Sequence, residues 1–357
     1  MQSVARVIYL HIAAVTWPAV GIIATGHFLS SWFMMAAVEG PEIGAASVYW
    51  YFYLVTATTV GYGDLSPITS AGRAITVFWV MPGGIAIFTS IVAKVVQSTA
   101  SYWRRRMLGL GNYSDHAGHT VILGWSGDNT RKMVAHMRSD HPDREIILAS
   151  YRLTENPMTD QIQFVRGETL TSDDLLHRSG IQSAGRVLVV GQDDNETLAT
   201  CLAVVARSAD VHLVAFFDDE SIADLLKAHC STAECLVPMA AEMLVRTADD
   251  PGSSRIPKVL FSTLQGPTLY SLTVPLDALP MSYGALFQVL KQRHHTTALG
   301  IASGAGASEM TLNPADERVV HPGETLYYMA EARLDPYAIA WAQITQDTSD
   351  ALRQGTS

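Results

Sequence analysis

Thr58-Thr59-Val60-Gly61-Tyr62-Gly63-Asp64 lies between two long apolar stretches, and its reading decides what the first third of the chain builds. Successive backbone carbonyls face one way only where alternate residues take left-handed conformations, which glycine adopts without a Cβ clash. Gly61 and Gly63 alternate with Val60 and Tyr62, so the stretch is expected to turn its carbonyl oxygens toward one axis and the two larger side chains away from it. Four such loops around that axis supply oxygens that replace the water of a potassium ion. Thr59, Val60, Gly61, Tyr62 and Gly63 are the candidate ion-binding residues, with the Thr59 hydroxyl a further ligand at the inner end.

The flanks suit a membrane. Val4 to about Leu29, interrupted by Arg6, Tyr9, His11, Thr16, Thr25 and His27, is long enough to cross a bilayer as a helix kinked at Pro18. It is too long, and too weakly basic at its start, for a cleavable signal peptide. Residues 45–57 are too short to span and rich in aromatics, which suits a re-entrant pore helix whose carboxyl end runs into Thr58. A second span over about 71–102 is followed at once by Arg104-Arg105-Arg106. With Arg6, this triplet puts both chain ends in the cytoplasm. Within the second span, Met81-Pro82-Gly83-Gly84 removes a helix hydrogen bond and adds flexible residues, so Pro82, Gly83 and Gly84 form a candidate gating hinge. Its rival is a static kink or a small-residue packing site. Phe88, Ile91 and Val95 follow at helical spacing, and Phe88 is the leading candidate for a hydrophobic constriction.

Two spans around a re-entrant helix and TVGYGD resemble the pore module of potassium channels. Members of that family often carry a Glu in the pore helix behind the filter; Val55 stands at the matching position, and Tyr51 is the candidate donor to Asp64. No Arg-rich helix is present to sense voltage.

Charge separates this third from the rest. Residues 1–103 hold Arg6, Arg73 and Lys94 against Glu39, Glu42 and Asp64, so the remainder of the 357-residue chain carries the whole net charge of −10. Without a basic face, nucleic acid is not an expected partner. The cysteines, Cys201, Cys230 and Cys235, are odd in number and irregularly spaced, as befits reduced thiols rather than a disulfide framework or a zinc site.

Beyond the Arg triplet, His119–Gly124 is an apolar β run followed by a helical stretch through Arg138, and Glu145–Ser150 is a second strand. Further strands are expected at Gln163–Val165, Arg186–Val190, Val211–Phe217 and Glu234–Val237, with helices at about 172–179, 195–208 and 220–229. This alternation predicts a doubly wound parallel sheet. A Pro, Gly, Ser and Asp-rich region at Asp249–Pro257 breaks it, and short β segments with turns at Ser303–Ser308 and His321–Glu324 follow.

Gly124-Trp125-Ser126, Phe164-Val165-Arg166-Gly167 and Asp194-Asn195-Glu196-Thr197 make this part similar to the RCK (KTN/TrkA-like) domains that regulate potassium conductance. The resemblance implies a prokaryotic two-transmembrane potassium channel gated by ligand through a cytosolic ring of RCK domains, and not an enzyme. The expected fold is a membrane α-helical pore module, two transmembrane helices plus a re-entrant pore helix, followed by an α/β Rossmann-like RCK domain with a small α+β carboxyl-terminal lobe. The expected boundaries are 1–103 for the pore domain, 104–117 for a linker, 118–250 for the Rossmann-like lobe, 251–340 for the second lobe and 341–357 for a tail. The resemblance further implies a homotetramer in the lipid of the prokaryotic inner membrane. Its ring takes eight RCK domains where four subunits bring four, so soluble copies started at Met107 are candidates for the rest. A nucleotide-sensing regulatory or uptake subunit of a Trk/Ktr-like system is the alternative reading.

The regulatory ligand stays open between a divalent cation such as calcium and an adenine nucleotide. A dinucleotide fingerprint needs G-x-G-x-x-G, but Ser126 and Asn129 follow Gly124 in the other places and Ser150 stands where a ribose-binding acid would be, so no redox cofactor is expected. Gly124, Ser126, Gly127, Arg166 and Asp194 are the candidate nucleotide-binding residues at strand ends. The calcium site implied by the resemblance falls at Val190, Phe216 and Asp218 and lacks two carboxylates. Asp193, Asp194, Asp218, Asp219 and Glu220 are the candidates for a different divalent site, with a solvated acidic rim as the rival.

Overall fold

Trp17 opens the first helix, α1 (Trp17–Val38), and Pro18 sits in its first turn, where a missing N–H costs nothing. The kink expected at Pro18 is therefore a helix start. The helix runs on past Leu29 because Ser30 and Ser31 turn their hydroxyls back to the carbonyls of His27 and Phe28, at 3.0 and 2.9 Å, and so satisfy themselves inside it. The computed structural model describes residues 16–303, 309–341 and Ile344; the part of the expected span at 4–15, Arg6, the turn at 304–308 and nearly all of the tail lie outside them.

The chain forms two compact units, Met1–Arg105 and Arg106–Ser357. In the first, one helical turn (Pro41–Gly44) leads to the re-entrant helix α2 (Ala46–Ala57). The second span, α3 (Ser70–Met107), starts at an N-cap Thr69 whose hydroxyl accepts from Gly72 N at 2.9 Å. α1 and α3 are both long and apolar enough to cross a membrane. At about 1.5 Å per residue, α3 is roughly 57 Å long, well beyond the ~30 Å of a hydrocarbon core. Tyr49, Phe52, Tyr53 and Ala57 of α2 pack with Met35 of α1 and Val80 of α3 in a small buried cluster.

Of the stretch expected as a linker at 104–117, residues 104–107 are helical. Helix α3 carries through Met107, and bonds within the second unit follow: Asn156 N donates to Met107 O at 2.7 Å, Arg166 N donates to Gly109 O at 2.9 Å, and Leu110 bridges Val165. Gly109 makes that approach possible, since a Cβ there would lie 2.6 Å from Arg166 N, and its φ is +70°.

The second unit opens with six parallel strands: β1 (Thr120–Leu123), β2 (Ile146–Ser150), β3 (Gln163–Arg166), β4 (Arg186–Val189), β5 (His212–Phe216) and β6 (Glu234–Leu236). Their order, β3-β2-β1-β4-β5-β6, is that of a doubly wound sheet. Alternate residues feed opposite faces: Val121, Leu123, Ile147 and Ala149 enter one core, and Ile122, Ile146, Leu148 and Phe164 the other. The covering helices are α4 (Asp128–Asp140), α5 (Asp173–Arg178), α6 (Asp194–Val205) and α7 (Glu220–His229). Cys201 is fully buried, and burial pushes its thiol up to about 12, so it is an inert core side chain.

Next come α8 (Ala240–Asp249) and α9 (Arg255–Leu260), neither of which buries a residue. The lobe boundary expected at 250/251 falls between these two helices, whose residues join neither buried core cluster. The second lobe packs α10 (Tyr283–His294) against strands β7 (Thr268–Thr273), β9 (Thr297–Ser303), β10 (Glu309–Leu312) and β12 (Thr325–Ala330), with β8 (Met281–Ser282) and β11 (Val319–Val320) paired apart. Leu286, Leu290, Leu326 and Tyr328 form its centre.

Candidate functional site

The carboxyl end of α2 passes directly into the filter stretch. Thr59, Gly61 and Gly63 have φ of 61°, 57° and 79°, so every second residue is left-handed and the expected alternation is present. Thr59 accepts this conformation although it bears a Cβ. The loop is held by its own helix: Val55 O accepts from Val60 N at 3.0 Å and from Gly61 N at 3.2 Å, and Thr59 N donates to Thr56 O at 3.1 Å. Val55 thus anchors the filter through its carbonyl, with no side-chain acid. Tyr51 donates to Asp64 Oδ2 at 2.8 Å, the pairing expected from the sequence. Val60 and Tyr62 are exposed in the single chain, so the packing expected behind the filter is not made within it.

The proline of α3 is absorbed by a change of helix type. Thr76–Val80 is π-helical, with Met81 N donating to Thr76 O, five residues back. An α-helix would leave the carbonyl four before Pro82 facing the ring, and the wider turn relieves that clash. Gly83 and Gly84 are close-packing positions. A Cβ on Gly83 would lie 2.0 Å from His27 Nε2, and one on Gly84 would lie 2.9 Å from Ala57 Cβ. Phe88 is partly exposed on the single chain.

Two side chains to which the sequence reading gave no structural role organise this unit. Glu39 accepts from Thr69 N at 3.0 Å, Thr69 Oγ1 at 2.8 Å and Ile68 N at 3.2 Å, tying the end of α1 to the start of α3. His27 bridges α2 and α3: Nδ1 is 2.8 Å from the Tyr53 hydroxyl and Nε2 is 3.2 Å from Trp79 O, with the ring stacked on Trp79. An ionisable residue within an apolar span was the available signal.

In the second unit, β1 ends at Gly124, whose φ is +106° and whose Cβ would lie 1.8 Å from Val190 O. Only glycine lets the β1 and β4 strand ends approach so closely, at the point where the sheet order reverses. Gly127, at φ +64°, caps α4 with open space where a Cβ would project and no side-chain cap bond. Ser126 N is taken by Thr130 Oγ1 at 3.0 Å. Arg166 spends its backbone on Gly109 and on Arg178, while its side chain is exposed.

The acidic candidates are mostly committed. Asp193 accepts from Glu196 N at 2.9 Å, and Asp219 accepts from Ser221 N and Oγ at 2.8 and 2.7 Å, which holds its carboxyl below the usual range. Asp194 accepts from Asp218 N and Asp219 N at 2.9 and 2.8 Å, joining the β4 and β5 strand ends. Among the described residues, no three His, Cys, Asp or Glu side chains converge as a metal site. The divalent cluster expected at Asp193, Asp194, Asp218, Asp219 and Glu220 is thus not assembled in one chain: Asp193 and Asp219 cap helices and Asp194 takes the Asp218 and Asp219 N–H groups.

Residues 22–100 match a family model described as an ion channel. YugO of Bacillus subtilis, whose name describes it as a candidate potassium channel protein, is 25% identical over 58% of this chain and 57% of its own length. The calcium-gated potassium channel TvoK of Thermoplasma volcanium is 28% identical over 42% of this chain and 41% of its own. Among solved structures, the GsuK channel bound to NAD aligns over 87% of this chain and 56% of its own, at 16% identity and a TM-score of 0.43. The chain spans about half the length of the curated relatives it matches.

Proposed function

We propose that this chain is one subunit of a potassium-selective channel, assembled as a homotetramer in the lipid bilayer and opened or closed by a ligand acting on the carboxyl-terminal units. The observation that carries the reading is the left-handed alternation at Thr59, Gly61 and Gly63, in a loop anchored to a re-entrant helix between two apolar spans. That backbone makes carbonyls face one axis, and four copies give potassium a substitute for its hydration shell. The match of residues 22–100 to an ion-channel family, and the potassium-channel names of YugO and TvoK, support it. Arg104-Arg105-Arg106 at the end of the second span favours cytoplasmic chain ends in a prokaryotic plasma membrane. A regulatory subunit using the spans as an anchor would leave the filter geometry without a use.

For the ligand, Gly124 and Gly127 at the reversal point of the sheet favour a nucleotide whose phosphates meet the open start of α4, while TvoK's name keeps calcium as the rival. Calcium would require carboxylates supplied by more than one chain. Pro82, Gly83, Gly84 and Phe88 are the proposed hinge and constriction. A few kcal/mol of differential affinity between open and closed rings is enough to drive this.

One recording tests the reading. Purified full-length protein in a planar bilayer, with mixed potassium and sodium, should give reversal potentials close to the potassium equilibrium value. Calcium, magnesium, NAD(H), ATP and ADP, added singly to the cytoplasmic face, should then identify one agent that changes open probability. Equal permeability to sodium would end the proposal.

A further inference from the structure

We propose that His27 is a positioning residue for the filter, and that protonation of its imidazole releases the filter-bearing helix α2 from the π-helical stretch of α3. The inference rests on the channel reading above. Three elements converge on this ring. α1 supplies it, α2 offers the Tyr53 hydroxyl at 2.8 Å, and α3 offers Trp79 O at 3.2 Å and the Trp79 ring at 5.4 Å between centroids. Gly83 leaves the space that the imidazole fills, since any Cβ there would collide with it. The π-helical turn at Thr76–Val80 includes the very carbonyl that His27 engages. Tyr53 lies one turn before Ala57 in α2, so what holds Tyr53 also holds the end of the helix from which the filter starts.

The bonding fixes the protonation state. A carbonyl oxygen only accepts, so Nε2 must carry the hydrogen, and in the neutral ring Nδ1 is then an acceptor for the Tyr53 hydroxyl. A second proton on Nδ1 would leave two donors facing each other. Tyr53, only 7% exposed, would have to turn its hydroxyl into a buried space, and such a donor left unpaired is costly. Among the described residues, no carboxylate bonds to the ring. Facing the ring from α2 are Tyr53 and, behind it, Tyr49; from α1, only the hydroxyls of Ser30 and Ser31; from α3, only the Trp79 peptide and indole. The charged groups of this unit among the described residues are engaged elsewhere or outside the packing: Glu39 on Thr69, Asp64 on Tyr51, Arg73 on Pro67 O, Lys94 over the Trp17 ring, and Glu42, Arg104 and Arg105 exposed. Withdrawal of the ring from α2 and α3 separates the two opposed donors.

The test is single-channel recording of the full-length protein in a potassium-only bilayer, titrated on both sides from about pH 8 to about pH 5, the range in which histidine changes charge. Open bursts of the wild type should shorten by about threefold or more across that range, as expected of a clamp lost on protonation. His27→Gln places an acceptor oxygen and a donor nitrogen much as the neutral ring does but does not titrate, so its bursts should stay near the wild-type length and be flat with pH. His27→Phe keeps the stacking on Trp79 without either hydrogen bond, and its bursts should be short at every pH. If that variant fails to assemble, Tyr53→Phe, which deletes one hydrogen bond only, should shorten bursts and blunt the pH response. A flat wild-type profile, a His27→Gln channel as acid-sensitive as the wild type, or unchanged bursts in both His27→Phe and Tyr53→Phe would overturn the proposal. None of these results would alter potassium selectivity, whose absence would instead overturn the channel reading itself.

Discussion

At the scale of single residues, the backbone rather than the side chain does most of the work at the filter. Val55 shows this: it serves through a carbonyl that takes the Val60 and Gly61 N–H groups. Glycine spacing made the alternation of conformations legible in the sequence, and the aromatic run made Tyr51 a readable partner for Asp64. The roles of His27 and Glu39 were not legible, because each is defined by partners 26 to 52 residues away and no local pattern encodes them. The same is true of His119. It is fully enclosed, with Nε2 donating to Ser179 O at 3.0 Å and Nδ1 without a partner, and burial lowers its pKa below the ordinary histidine value. A lowered pKa means that the unfolded chain binds the proton first. Stability therefore rises with pH across the window between the folded value and about 6.5, and is lost as pH falls through it. Urea unfolding monitored through the second unit should give a midpoint that drops from pH 7.5 toward pH 5.5. His119→Gln should flatten that slope, since it keeps a donor for Ser179 O and removes the titration. An unchanged slope in the variant would assign the effect to His141, which burial also shifts downward.

At the scale of elements, the βαβ alternation was read correctly strand by strand, because parallel strands buried on both faces are continuous apolar runs that stand out against polar helices. Membrane helices gave poorer boundaries. In a nearly unbroken apolar stretch, hydropathy marks no start, so the beginning of α1 is set instead by Pro18 and its end by Glu39 and Gly40. The second span carries the clearest element-level consequence. Gly83 and Gly84 follow the π-helical turn and accept His27 and Ala57 at distances no side chain permits, so the stretch read as a hinge is also a tightly packed joint. Gly84→Ala drives its new methyl against Ala57, a rigid neighbour two residues before Thr59, and overpacking of that kind costs about 1–3 kcal/mol. The expected result is a lowered unitary conductance. Gly83→Val instead strikes His27, away from the filter's own residues, and should lower open probability while the potassium-to-sodium permeability ratio stays as in the wild type. Recordings of the two variants side by side check this; a Gly83→Val channel that gates normally would place the hinge elsewhere in α3.

At the scale of the molecule, what is missing from one chain indicates how chains combine. Val60 and Tyr62 have no cover of their own, and α8 and α9 present Leu244, Val245 and Ile256 at 72%, 65% and 66% exposure without adding to either core. An apolar helix pair left outside both lobes fits a contact with a second carboxyl-terminal unit, whose own pair would be covered at the same time. Charge and hydropathy separated the two units in the sequence, but this pair was hidden there, since its helices follow a Rossmann pattern that they do not join. The compact second unit begins at Arg106, and a chain started at Met107 would keep the Asn156 bond and the Leu110–Val165 bridge. Four full-length subunits and four such shorter chains would then complete a ring of eight. Native mass spectrometry of purified channel should detect both chain lengths in equal number. Met107→Leu should remove the shorter one and weaken the ligand response without affecting selectivity. Leu244→Glu combined with Ile256→Glu should leave a tetramer of full-length subunits that conducts but no longer responds to ligand, because burying two carboxylates without partners opposes the contact by several kcal/mol. A wild-type preparation holding full-length chains alone would remove the short copies from this picture, and a doubly substituted channel that still gates would remove the helix pair.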